Sequence, residues 1–297
     1  MHTYMKAIGF SKKESQADIE ELIKDVVIHA DSESTLIKPN GNIYVEYRKS
    51  FGENIGIIVR GEEDEKGVFH IGTFFPYLKS SFKDGMKEEE IYINKKVDSD
   101  AYTGMCDDNH LGVSLIFYIQ NIDSYIKSGD TRVTQNNKKI RLVSLSSSGK
   151  IILPTQKRIY SHIASKIDNA VKNQLMDEAK NGDMEALDYL TMNDMDKNAS
   201  LTERIKHEDL FSIVETTFIP YGSESDLYTV LGNILSARQL QNDVTGELLW
   251  ILKVVCNDVP FEIVINAQDL LGFPTPGMRF KGIIWMQGEI EENMPQK

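Results

Sequence analysis

The last fifty residues alternate short apolar runs with turn formers, and this pattern constrains the fold more than any other feature of the chain. Leu248–Cys256 and Phe261–Ile265 are rich in the β-branched and aromatic residues that favour strands. The turn formers of Pro274–Gly277 separate them from a third such run, Arg279–Gly288. The segment contains no nucleophile motif, metal-ligand cluster or phosphate loop, so it predicts a small β-structure and assigns no chemistry.

Five predicted strands with turns between them indicate a small antiparallel β-barrel, OB-like or SH3-like, over residues 209–297. The five strands are Leu210–Ile219, Tyr228–Ala237, Glu247–Cys256, Phe261–Ile265 and Phe280–Glu289. In the last strand, apolar residues alternate onto both faces, because Phe280, Ile284 and Met286 share one face while Ile283 and Trp285 share the other. We therefore expect this strand to be covered on both sides, by a helix or by a partner subunit.

Residues 1–153 predict an α+β domain with one helix and a mostly antiparallel sheet. Ile19, Leu22, Ile23 and Val26 recur at helical spacing, and Ser15 or Asp18 can cap the start of this helix. The following residues then switch to patterns typical of strands. The predicted strands are Ile43–Tyr47, Ile55–Arg60, Val68–Phe75, Ile91–Val97, Gly112–Gln120 and Lys139–Ser146, with a short helix over Ile122–Lys127.

The middle of the chain, residues 154–208, is predicted to be a helical connector. Apolar residues recur every four positions from Ile159 to Ala179, which indicates one long helix that ends at Asn181-Gly182. The sequence therefore predicts an α+β class with three parts: the domain of residues 1–153, this connector, and the barrel of residues 209–297.

Composition limits the class of partner and the compartment. The formal net charge of −12 repels the phosphate backbone and argues against nucleic acid as a partner. No apolar run reaches the length of a membrane span, and the first residues lack the pattern of a secretory signal. Two cysteines do not make a disulfide framework. We expect a cytoplasmic protein.

One segment, Asp98–His110, gathers residues that could bind a metal ion. Asp98, Asp100, Asp107, Asp108 and His110 are close in sequence, and carboxylates with a histidine suit several divalent cations. The spacing is not that of an EF-hand, and no second motif supports a metal site. The alternative interpretation is a polar loop between two strands, with turns made by its aspartates.

A second candidate site lies in the last strand, where Trp285 is close to Arg279 and Lys281. If exposed beside these two cations, Trp285 could stack on a nucleic-acid base or a sugar. The alternative is a packed core residue, because a large aromatic side chain at the centre of a strand is usually buried.

Several short stretches resemble an uncharacterised family of clostridial-type bacterial proteins, a domain of unknown function. The resemblance is carried by Met1-His2, Ala7–Ser11, Gly182–Leu187 and Phe280–Gly288, and it extends over the whole chain. It implies a cytosolic bacterial protein and transfers no activity, cofactor or catalytic residue.

The sequence favours a non-catalytic binding or adaptor protein and leaves an enzyme open. Two well-patterned β-rich regions occur without any reacting constellation, and nothing calls for a cofactor. The partner would be another protein or a second copy of the chain, with no membrane. One alternative is a metal-dependent hydrolase that uses residues 98–110, and another is a barrel that binds single-stranded nucleic acid.

Overall fold

The computed structural model describes residues 2–13, 15–82, 86–96, 101–108, 113–128, 132–154, 214–222 and 226–291, and most of these lie in strands. The helices of this part are short, and none combines the length and the apolar content needed to cross a membrane. They are two 3₁₀ helices, His2–Ile8 and Ala267–Asp269, and two α-helices, α1 (Gln16–Ile28) and α2 (Asp123–Ser128).

Four consecutive strands form an antiparallel sheet in sequence order. They are β1 (Ser32–Ile37), β2 (Ile43–Gly52), β3 (Ile55–Glu63) and β4 (Phe69–Leu78). Gly61 pairs with Ile71 and Arg60 pairs with Thr73, so β4 has one extra residue, Gly72, at this point. Such a bulge reverses the alternation of side chains along the strand, and it therefore places both Ile71 and Phe74 on one face of the sheet.

Helix α1 covers part of that face, which we call the outer face. The helix begins with a capping box, because the Ser15 hydroxyl accepts a hydrogen bond from the Asp18 backbone N–H at 3.1 Å and the Asp18 carboxylate accepts one from the Ser15 backbone N–H. Its predicted apolar stripe is buried in one core cluster with Ile57 and Val59 of β3. The predictions for the helix and its cap are confirmed.

The other ten strands form a second, mixed sheet. They are β5 (Met86–Lys95), β6 (Tyr102–Asp108), β7 (Val113–Ile119), β8 (Arg132–Ile152), β9 (Thr217–Pro220), β10 (Leu227–Gln241), β11 (Leu248–Cys256), β12 (Val259–Asn266), β13 (Leu270–Leu271) and β14 (Arg279–Ile290). Strand β8 is 21 residues long. This length lets its first half pair with β5 while its second half pairs with β12 and β14.

A five-stranded barrel closes within this sheet through the pairings of β10, β11, β12, β8 and β14. The expected barrel is thus present, but its make-up differs from the prediction in two respects. Of the predicted first strand, the described part is β9, whose pairing within the described residues is with β10 alone, and β8 takes the fifth place. In addition, β12 and β8 run parallel, so the barrel is not purely antiparallel.

The expected division into separate β domains of residues 1–153 and 209–297 is not confirmed. Strand β8 from the first part and β14 from the second pair from Ile140 with Ile290 to Ile152 with Arg279. Residues 1–152 and 216–297 accordingly make one compact unit, and residues 153–215 make another. Nearly all of the predicted helical connector lies outside the described residues.

Strand β14 is covered on both faces, as its sequence predicts. Phe280, Ile284 and Met286 are buried in the core that includes the barrel interior. Trp285 is buried in a second core, which contains residues of the first 3₁₀ helix, of α1 and of the four-stranded sheet. The cover on this side therefore includes the amino-terminal segment of the same chain.

Candidate interaction surface

The predicted metal-binding segment is in part a strand and not a loop. Residues 102–108 form β6, in which Cys106 pairs with Leu115 of β7 and is fully buried. The expectation of one continuous polar loop is therefore wrong for this stretch. Asp98, Asp100 and His110 lie outside the described residues, as do the side chains of Asp107 and Asp108. The metal site itself stays a prediction, and the described side chains elsewhere include no cluster suited to a metal ion.

Trp285 occupies a packed position. Only 4% of it is exposed, and its ring centroid lies 5.3 Å from that of Tyr118 and 5.4 Å from that of Tyr4. The indole N–H donates a hydrogen bond to Asp226 Oδ2 at 3.2 Å. These contacts agree with the interpretation of Trp285 as a core residue, and they leave little ring surface on which a base could stack.

The two cations predicted beside Trp285 have different surroundings. Arg279 is buried, whereas Lys281 is partly exposed. Strand alternation puts Arg279, Lys281 and Trp285 on one face of β14, as the sequence predicts. Because both Arg279 and Trp285 are buried there, Lys281 alone of the three keeps substantial contact with solvent.

Sequence reasoning missed a buried ionic network on the inner face of the four-stranded sheet. Glu46 accepts hydrogen bonds from Arg60 Nε and from Arg48 Nε, both at 2.6 Å. Arg60 is fully buried, and its Nη2 donates to the backbone carbonyl of Gln120, which follows β7. The Arg60 guanidinium also lies over the Phe75 ring, 4.7 Å from its centroid. The period-two pattern of β2 and β3 could locate these side chains on one face, but not their burial.

The electrostatics of this network keep Glu46 ionised. Burial by itself would raise the pKa of the Glu46 carboxyl, but the charges and hydrogen bonds of Arg60 and Arg48 hold it below its ordinary value. Asp123 at the start of α2 behaves oppositely, because burial and then the charge of Glu46 raise its pKa. One oxygen of Asp123 is buried without a hydrogen-bond partner. The network thus joins the two sheets through charges that are mostly paired.

The outer face of the same sheet carries apolar side chains beyond the part that α1 covers. Gly61 lies at the centre of this region, and a Cβ there would meet the Phe69 ring at 2.8 Å. Without a side chain at Gly61, the Phe69 ring can lie over β3 and meet the Tyr47 ring edge-on, with centroids 5.1 Å apart. We define the outer patch as Thr35, Ile37, Ile43, Tyr47, Phe69 and Ile71.

The outer patch is open to solvent although most of its members are apolar. Ile37 is 71% exposed and Ile71 is 50% exposed, while Ile43, Tyr47 and Phe69 are partly buried. Tyr47 and Phe69 pack against the core cluster that contains the α1 stripe, whereas Ile37, Ile71 and Ile28, the last residue of α1, remain exposed. Because the patch sits on four hydrogen-bonded strands, its side chains are held in fixed relative positions.

Two carboxylates belong to the outer patch region. Glu63 lies in the same cross-strand row as Ile37, Ile43 and Phe69, directly opposite the last two. Glu33 is directly opposite Tyr47. Burial, followed by the charges of Glu33 and Glu63, raises the pKa of the Tyr47 hydroxyl. Within the described part of the chain, neither carboxylate forms an ion pair with a cation.

A smaller apolar group lies at one end of the barrel. Phe273 is 69% exposed and meets the Trp250 ring edge-on at 5.1 Å, and the neighbouring Leu271 is 74% exposed. Leu271 is the last residue of β13, and Phe273 lies in the loop that follows, with Gly272 between them. They offer fewer apolar residues than the outer patch, and they provide a matched control for it.

Comparison with models of known protein families finds a match over nearly the whole chain. It is the model described as "Domain of unknown function, E. rectale Gene description (DUF3881)", which matches residues 5–288. This result confirms the resemblance to an uncharacterised family that the short sequence stretches indicate. No curated protein and no solved structure matches the chain.

Proposed function

The chain belongs to the DUF3881 family, a domain of unknown function, and we propose from its geometry that it is a non-catalytic binding or adaptor protein that holds a protein partner on the outer patch. Nucleic acid and membranes are not part of this proposal. We place the protein in the cytoplasm, in agreement with two cysteines that are both buried and form no disulfide.

The observation that carries the proposal is the exposure of Ile37 and Ile71 beside the Tyr47–Phe69 pair. Apolar side chains grouped on a rigid sheet favour association. Covering them releases water, and little conformational entropy is lost because the sheet already restricts them. Covering the exposed parts of the two isoleucines is worth about 2–3 kcal/mol, since fully burying one such side chain is worth about 1.5–3 kcal/mol. Tyrosine and phenylalanine side chains add contact area of the kind that protein interfaces favour.

The test uses the purified full-length chain as bait in an extract of a bacterium that encodes it. A bound protein is identified, purified and titrated back against wild type and against the variant Ile37→Thr/Ile71→Thr. Threonine keeps the β-branched shape while it removes apolar surface. We expect the variant to bind the purified partner at least about tenfold more weakly.

Leu271→Thr is the matched control, since Leu271 is about as exposed as Ile37 but lies at the barrel end. Its affinity for the purified partner should equal that of wild type. A partner that loses affinity with Leu271→Thr and keeps it with the outer-patch variant would place binding at the barrel end and contradict the proposal.

A metal-dependent hydrolase using Asp98, Asp100, Asp107, Asp108 and His110 is the main alternative. Calorimetric titration with calcium, magnesium, manganese and zinc tests it directly, since a site would give saturable heat. Turnover of esterase, phosphatase or nuclease substrates that is lost in Asp107→Ala would replace the binding proposal with this one.

Binding of single-stranded nucleic acid at the barrel is a weaker alternative, because Trp285 is buried and hydrogen bonded. Trp285→Phe distinguishes its fluorescence from that of Trp250, the other tryptophan. A signal from Trp285 that stays unchanged when an oligonucleotide is added at low salt rules out stacking at this residue.

A further inference from the structure

We infer that the partner of the outer patch presents a basic as well as apolar surface, with a lysine or arginine that meets Glu63. This inference rests on the proposed function and adds the charge of the partner to it. The decisive feature is the position of Glu63 between two apolar residues in the terminal cross-strand row of the sheet. Its two direct cross-strand neighbours are Ile43 and Phe69.

A partner that covers Ile37, Ile43 and Phe69 therefore also lies against Glu63. Taking a carboxylate out of water without a counter-charge is costly, and the cost exceeds what a few apolar contacts supply. A cation on the partner removes this penalty and forms a charge-assisted hydrogen bond. Glu33, beside Tyr47, extends the same negative field across the patch.

The same charges decide between a different protein and a second copy of the chain. A face-to-face dimer through the outer patch would bring the Glu63 carboxylates of both copies, and the two Glu33 carboxylates, into one interface. Like charges within an interface oppose association. The chain as a whole carries a formal net charge of −12, which adds to this repulsion.

Two synthetic peptides serve as probes, one with alternating lysine and isoleucine and one with alternating glutamate and isoleucine. Their binding to the full-length chain is measured by fluorescence anisotropy at about 50 mM and about 300 mM salt, because charge pairing weakens as the screening length falls. The lysine peptide should bind and the glutamate peptide should not. Higher salt should lower the affinity for the lysine peptide several-fold.

Glu63→Gln should lower the affinity for the lysine peptide about tenfold, and Ile37→Thr/Ile71→Thr should lower it by a similar factor. Glu20→Gln is the matched control, since it removes the same charge from an exposed position on α1, and it should change affinity by no more than about twofold. Circular dichroism melting of every variant verifies that each is folded. Equal weakening by Glu20→Gln and Glu63→Gln would show attraction to net charge alone and would overturn the inference.

The outcomes separate the two proposals. If the isoleucine variant weakens binding and Glu63→Gln does not, the inference of a basic partner is wrong, while the outer patch remains the binding surface. If neither variant changes binding, the outer patch itself is wrong as a binding surface for such peptides. Sedimentation velocity of wild type completes the test, because a dimer that Ile37→Thr/Ile71→Thr dissolves would identify a second copy as the partner and overturn the inference.

Discussion

In the four-stranded sheet the buried inner face carries charged side chains, whereas the exposed outer face carries apolar ones. Burial alone would favour the reverse arrangement. The inner face, packed against the second sheet, buries Glu46 and Arg60, which are 2% and 0% exposed. The outer face leaves Ile37 71% exposed to water. Both faces belong to the same strands, so the difference does not arise from the backbone.

We propose that the two faces have different roles. A buried ion pair gains little net stability over apolar packing, but it accepts only partners that complete its hydrogen bonds. On the inner face Arg60 Nη2 donates a hydrogen bond to the Gln120 carbonyl after β7, which links the two sheets, while Arg60 Nη1 is buried without a partner. The apolar outer face requires no such match within the chain, and we propose that another protein covers it.

The largest expected effect comes from breaking the inner network at one partner. Arg60→Met should lower the free energy of unfolding by about 3–5 kcal/mol, because it leaves the Glu46 carboxylate buried with a weaker set of partners. Urea unfolding followed by circular dichroism measures it. A loss below about 1 kcal/mol would mean that the network contributes little to joining the sheets.

Removing both partners should cost less than removing one. In Arg60→Met/Glu46→Leu no carboxylate remains unpaired, and Arg48 can turn to solvent because about a third of its side chain is exposed. We expect the double variant to be more stable than Arg60→Met by about 1–2 kcal/mol. The same urea experiment applies, and a double variant less stable than the single one would contradict the account of an unpaired charge.

A smaller effect concerns Asp123 at the start of α2, whose pKa is raised by burial and then by the charge of Glu46. A carboxyl whose pKa is higher in the folded state costs stability once the pH rises through that pKa, and the cost is absent below the unfolded value near 3.8. Asp123→Asn should therefore be more stable than wild type at pH 7. This advantage should disappear in unfolding curves at acid pH, and an advantage independent of pH would point to a cause other than ionisation.

The smallest expected effect is on the outer face. Ile37→Thr and Ile71→Thr should each change the free energy of unfolding by no more than about 0.5 kcal/mol, because both side chains are at least half exposed already. Thermal melting of each variant is sufficient to measure this. A loss comparable with that of Arg60→Met would show that the outer patch is part of the core and not a surface for a partner.

Local structure could be predicted well from the sequence. The stripe Ile19, Leu22, Ile23 and Val26 and the cap at Ser15 give α1 with its observed start. The predicted strand Phe280–Glu289 lies within β14, and its two apolar faces are both covered. These predictions succeed because helical and strand periodicities depend on neighbouring residues, which the sequence contains in full.

The failures have a physical cause as well. Strand β6 was hidden because aspartates at its end suggested a loop, although Tyr102, Gly104 and Cys106 alternate at period two and are buried. The outer patch was not recognised, because the exposure of a strand residue depends on which distant parts of the chain pack against the sheet. No local pattern marks Glu63 as lying opposite Ile43 and Phe69, since that arrangement depends on strand register.

The sequence by itself determined where helices and strands form in much of the described chain, and that a small barrel is present. The tertiary structure alone decided that β8 completes this barrel, that residues 1–152 and 216–297 form one unit, and which face of the first sheet is buried. The reason is that strand propensity is a property of a segment, whereas strand partners are chosen by hydrogen bonding and burial between segments far apart in the chain. The charged inner face and the apolar outer face follow from that second choice.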